Sequence, residues 1–174
     1  MKKYLLASLF LIALSNIALG QDQYQVLTER PNEKSLKGII SRGILEQDTS
    51  FKWYASNFKA YSPNTEAVTA LKKYADSIQL LVFMGTWCED SHFIIPKFFA
   101  LTDAAGFSEN RITLIGVDRN KTTLSHLSEA LNIKNVPTII VMKDGKEYGR
   151  VVEYGKYGMF DKELGEIINS INKL

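Results

Sequence analysis

A single cysteine, two histidines and four prolines in 174 residues exclude a good deal. One thiol cannot close an internal disulfide, so stability has to come from a packed core. One cysteine and two histidines far apart in sequence do not make a structural zinc cluster, and no metal or other cofactor is expected. An excess of one charge is missing too. The 21 basic and 19 acidic side chains become 19 and 19 once Lys2 and Lys3 of the first twenty residues are set aside. Lys and Arg lie scattered among acids instead of clustering, which argues against a nucleic-acid partner. There is no internal repeat and no low-complexity tract. After the first apolar run, no second one approaches the roughly 20 residues that a membrane span needs.

That first run has its own grammar. Lys2 and Lys3 precede the apolar stretch Leu5 to Leu14, and Ala18-Leu19-Gly20 supplies a small-residue ending. This is the pattern of a secretory signal peptide, cleaved after Gly20 to leave Gln21 at the front. An uncleaved anchor is the other reading of the stretch. Residues 1–20 are therefore expected to be a leader and the mature protein to be exported, periplasmic or secreted, with no membrane association after cleavage. A lone thiol in that oxidising compartment is either buried and inert or left available for another molecule.

Residues 21–65 read as an N-terminal helical extension. Leu36, Ile39, Ile40 and Ile44 have helix-like spacing, and Phe51, Tyr54, Phe58 and Tyr61 form an aromatic stripe on a second helical face, closed by Ser62-Pro63-Asn64. Such a stripe is read as packing surface, because aromatic rings supply much buried area. From residue 66 the elements alternate regularly. A helix through Val68, Leu71, Tyr74 and Ala75 leads to the apolar strand Ile78 to Met84, then to a helix carrying Phe93, Ile94, Phe98 and Leu101. A second buried strand spans Ile112 to Val117, and a short helix around Thr122 to Leu131 leads into the strand Ile139 to Lys143. Asp144-Gly145 marks a tight hairpin returning through Glu147 to Glu153. Phe160, Leu164, Ile167, Ile168 and Ile171 form a last amphipathic helix. The order predicts an α/β fold, a mixed central sheet flanked by helices, over residues 66–174.

The chemistry sits where the first buried strand ends and a helix begins, in Trp87-Cys88-Glu89-Asp90-Ser91-His92. A thiol at a helix N-terminus faces unpaired N–H groups and the positive end of the dipole, which favour thiolate. Ser91, one turn on, is placed to donate a hydrogen bond to it. Glu89 and Asp90 repel a second negative charge, so the two influences oppose each other. Asp90 and Ser91 also fit a plain helix start. His92 either shuttles protons for the thiol or faces solvent, and solvent is favoured because no partner acid for it is fixed by sequence.

Trp87-Cys88-x-x-Ser91 resembles the WCxxC centre of thioredoxins, with serine in place of the second cysteine. Pro96 matches the family's helix-kinking proline, Val136-Pro137-Thr138 resembles its cis-proline loop, and Lys143-Asp144-Gly145-Lys146 resembles its last hairpin. Gly155 falls where a glycine lines the family's substrate groove. The resemblance implies a thioredoxin fold over residues 66–174. It implies Cys88 as nucleophile with Ser91 beside it, and a groove of Trp87, Val136, Pro137 and Gly155 that takes a substrate as an added strand. Glu89, Asp90 and His92 are modulating positions. Exported bacterial thioredoxin-like proteins often carry additions such as residues 21–65. Two departures matter. Ser91 cannot resolve a mixed disulfide, and the family's buried acid, six residues before the nucleophile, is Val82 here. What remains is monothiol exchange with protein or small-molecule thiols and disulfides, isomerase-like or reducing mixed disulfides, in the service of cell redox homeostasis. The alternative is a redox-inactive peptide-binding or chaperone-like module using the same groove.

Overall fold

The computed structural model describes residues 23–171, so the expected leader, residues 1–20, lies outside the described residues. The strands are β1 (Tyr24–Leu27), β2 (Ser35–Ile40), β3 (Gln79–Met84), β4 (Ile112–Gly116), β5 (Thr138–Lys143) and β6 (Lys146–Val152). The helices are α1 (Arg42–Gln47), α2 (Trp53–Lys59), α3 (Thr65–Tyr74), α4 (Glu89–Ala105), α5 (Leu127–Ala130) and α6 (Phe160–Ser170). One mixed sheet runs β1-β2-β4-β3-β5-β6. Only β3 and β4 pair in parallel; the other neighbours are antiparallel. Among the described residues no helix is long and apolar enough to cross a membrane.

The continuous apolarity of β3 has the meaning expected of a central strand. Leu80, Val82 and Met84 face one core with Leu114, Ile139, Val141 and Val151, under Leu71 of α3, Phe98 of α4 and Leu164 of α6. Phe83 faces the other with Ile115, Val117, Ile133, Val136 and Ile140, under Leu127. Each such side chain contributes about 1.5–3 kcal/mol on leaving water. The stripe Phe51, Tyr54, Phe58 and Tyr61 packs as expected, with the Tyr54 ring 6.5 Å from that of Phe99 in α4.

Residues 21–65 are not purely helical. Leu36, Ile39 and Ile40 lie in β2, and only Ile44 is in a helix. Leu36, Gly38 and Ile40 are buried at a spacing of two, while Ile39 is exposed. Sheet pairing decides this. Gly38 lies opposite Gly116 of β4, where a Cβ on Gly116 would fall 2.3 Å from the Leu36 carbonyl oxygen. Two facing glycines let β2 close onto β4, and a helical spacing of apolar residues gives no hint of such a seam. The segment around Thr122 to Leu131 is likewise only partly helical. Ser125 and His126 have φ of +57° and +53°, and the helix proper is α5. Thr122 and Thr123 are held instead by Asp118 and the Gly116 carbonyl. The turn at Asp144-Gly145 has positive φ at both residues, the backbone of a two-residue hairpin.

Candidate active site

Cys88 is the N-cap of α4, with extended backbone (φ −97°, ψ 122°) and its carbonyl accepting from the His92 N–H at 3.0 Å. The turn before it is tight. Cys88 N–H donates to the Gly85 carbonyl at 3.0 Å, and a Cβ on Gly85 would lie 2.6 Å from the Trp87 ring. The sulfur is half-buried and makes a 3.3 Å hydrogen bond to the Val136 carbonyl. The Val136–Pro137 peptide is cis, as the motif implies. Pro137 in turn accepts from the Glu153 N–H at 2.7 Å, which ties that loop to the end of β6 just before Gly155. Trp87, Cys88, Val136 and Pro137 are therefore brought together, and Gly155 (φ +76°) lies two residues past Glu153, where a Cβ would meet Glu163, Val151 and Phe160.

Three modulating positions behave differently from one another. Glu89 is exposed in the first turn. Asp90 accepts a 2.9 Å hydrogen bond from the Tyr154 hydroxyl. Burial, that hydrogen bond and the negative charge of Asp90 raise the Tyr154 phenol above its usual range. His92 does not face solvent, contrary to expectation. Its ring stacks on Trp53 of α2 with centroids 4.3 Å apart, and Nε2 lies 2.7 Å from the Thr86 carbonyl, so that nitrogen carries the proton. The partner is an aromatic ring from the extension, which local sequence could not supply. Ser91 is also redirected. It is fully buried, and its hydroxyl accepts from the Gly85 N–H at 3.2 Å under the end of β3, where it braces the turn before Cys88. Val82 is fully buried in the apolar core.

Sequence reasoning missed the contacts that reach this site from the β1–β2 hairpin and from just past β4. Buried Thr86 accepts from the Leu36 N–H and donates to the Lys34 carbonyl, both at 3.0 Å. Arg119 lies with its guanidinium carbon 5.0 Å from the centre of the Trp87 ring, whose Nε1 donates to the Val117 carbonyl at 2.9 Å. The position of Thr86 directly before Trp87 was the one available signal; for Arg119 there was none.

A family model described as thioredoxin matches residues 62–165. A thioredoxin of Chlamydia pneumoniae is 33% identical over 99 residues, 57% of this chain and 84% of that protein. A TPR repeat-containing thioredoxin of Arabidopsis thaliana is 30% identical over 101 residues, and the match spans 25% of its length. Among solved structures, a Pseudomonas aeruginosa protein of unknown function superimposes with a TM-score of 0.51 at 14% identity, over 75% of this chain and 90% of that one. The last is a likeness of fold alone.

Proposed function

The chain belongs to the thioredoxin family, and on that premise we propose that it is an exported protein acting by monothiol thiol–disulfide exchange through Cys88. The reading is carried by one observation: half-buried Cys88 is the N-cap residue of a 17-residue helix, and its sulfur lies 3.3 Å from the Val136 carbonyl, beside the cis peptide. Export is supported by the Lys2-Lys3, Leu5 to Leu14 and Ala18-Leu19-Gly20 pattern.

In the first step the Cys88 thiolate attacks one sulfur of a substrate disulfide. A Cys88–substrate S–S bond forms as the original one breaks, and the departing sulfur leaves as a thiolate that takes a proton from water. In the second, another thiolate, from the same substrate or a small thiol, attacks the substrate sulfur of the mixed disulfide and expels Cys88. One disulfide is consumed and one formed each time, so no outside oxidant is needed. Trp87, Val136, Pro137 and Gly155 border the groove for the substrate strand. Ser91 supports the turn and does not resolve the adduct.

The test is the set of proteins disulfide-linked to Cys88 in extracts alkylated before lysis. Adducts should be recovered from the natural protein and vanish in Cys88→Ala. Ser91→Cys should shorten their lifetime at least tenfold, on the order expected when an intramolecular thiol replaces a dilute one. Val82→Asp added to it should speed release further. Equal lifetimes in the natural protein and Ser91→Cys would sink the monothiol reading. Peptide binding retained in Cys88→Ala, with no adducts from the natural protein, would favour the redox-inactive module.

A further inference from the structure

A cation seated on the residue next to the reactive cysteine comes from outside its motif. Arg119 follows β4, and two acids of the β1–β2 hairpin hold it. Its Nε donates to Glu33 Oε1 at 3.0 Å, its Nη2 donates to Glu33 Oε2, and its backbone N–H donates to Glu29 Oε1 at 3.3 Å. The two paired side chains are only 26% and 21% exposed. A planar fork matched to a carboxylate is a rigid placement, unlike that of a lysine. It sets the guanidinium over Trp87, the residue beside Cys88.

We propose that Arg119 is a positioning residue for Cys88: seated on Trp87 by Glu33, it offsets the negative charge of the sulfur whenever that sulfur is an attacking or a departing thiolate. The proposal rests on the exchange reading above. The titratable groups near Cys88 include Glu89 and Asp90 on α4 and Glu153 and Tyr154 after β6, with Glu29 and Glu33 of the hairpin against Arg119, while His92 is turned away to Thr86. Against this acidic surround, Arg119 supplies the opposite charge. The hydrogen bond to Glu33 and the charges of Glu33 and Glu29 hold Arg119 above the usual arginine range, and a thiolate at Cys88 adds a smaller part. The hairpin that anchors it lies outside the family match to residues 62–165, so the added segment takes part in building the site.

The experiment is the rate of Cys88 alkylation by iodoacetamide, a neutral reagent, from about pH 5 to pH 10 in the full chain. In Arg119→Gln the rate should fall roughly threefold near pH 6 and rise about twofold on the alkaline plateau. A less stabilised thiolate is scarcer but a stronger nucleophile, so the two curves cross. Arg119→Lys should stay close to the natural curve. In a Glu33→Ala background the effect of Arg119→Gln should shrink, because the guanidinium is no longer held. If Arg119→Gln does not fold, Arg119→Met, which keeps an apolar stem over Trp87, carries the same expectation. Superimposable curves, or a uniform slowing without a crossing, would overturn the proposal and leave thiol exchange standing. An undiminished effect in the Glu33→Ala background would remove Glu33 from it. A natural protein whose thiol reacts at no pH would overturn the exchange reading itself.

Discussion

Two hairpins occupy opposite edges of the sheet, and both bear on the turn that carries Cys88. The β5–β6 hairpin holds the cis-proline loop through Pro137 and Glu153 and carries Tyr154 to Asp90. The β1–β2 hairpin holds the other side, through Lys34 and Leu36 on Thr86 and through Glu33 on Arg119. They are specified in different ways. The first closes through Asp144 and Gly145, whose positive φ suits a tight turn without help from elsewhere. The second closes through residues 28–34 and takes its shape from what it lies against: Gly38 facing Gly116, Lys37 on Asp118, Lys34 on Asp48. A segment specified by its neighbours can serve an active site as closely as one specified by its own turn, but it can be broken from further away.

The sharpest way to separate them is through their glycines. Gly116→Ala places a Cβ 2.3 Å from the Leu36 carbonyl oxygen, a backbone atom that cannot step aside. It should cost about 3 kcal/mol or more in urea melts, with β1 and β2 losing hydrogen-exchange protection first. Next, Thr86→Val leaves the buried Leu36 N–H without its acceptor and the Lys34 carbonyl without its donor. A loss of about 2 kcal/mol is expected, with faster exchange at the Leu36 amide and unchanged protection in β5. If β5 loosens equally, the two edges are not independent.

A smaller effect separates the edges by pH. Hydrogen bonds from Lys34 and then from the Ser50 N–H hold Asp48 down to about 2. For Asp118 burial opposes ionisation, but hydrogen bonds from Lys37 and Thr122 outweigh it and leave the carboxyl below its usual range. Both are depressed in the folded protein, so their contribution is fully present above about pH 4, the unfolded value, and is lost as pH falls through the folded ones. Protection of the β2 amides should therefore decline from about pH 4 towards 2, and the doubly substituted Asp48→Asn, Asp118→Asn protein should lose that dependence. The smallest effect belongs to the self-specified turn. Gly145→Ala meets no atom within 4 Å and pays only for a left-handed backbone (φ +74°), about 1 kcal/mol.

Legibility followed the same division. The apolar runs of β3 and β4, the Asp144-Gly145 turn and the spacing of α6 report themselves locally, and they placed the sheet and the motif. The strand and helix joined at Cys88 were readable for that reason. The state of β2 was not, because Leu36, Ile39, Ile40 and Ile44 satisfy a helical period while Gly38 and Gly116 permit a sheet seam that no window of sequence contains. His92 was misplaced on the same account: its companion is Trp53, on another helix.

By itself the sequence determined the central strands, the tight hairpin, the thiol at a strand-to-helix junction and the serine in place of a second cysteine, because each depends on residues within one or two turns of each other. Only the tertiary structure decided what surrounds that thiol. Leu36 and Thr86 are 50 residues apart, and Glu33 and Arg119 are 86 apart. Such contacts form only when folding sets β2 beside β4, and the spacing of side chains along a chain carries no record of which distant backbone will lie alongside it.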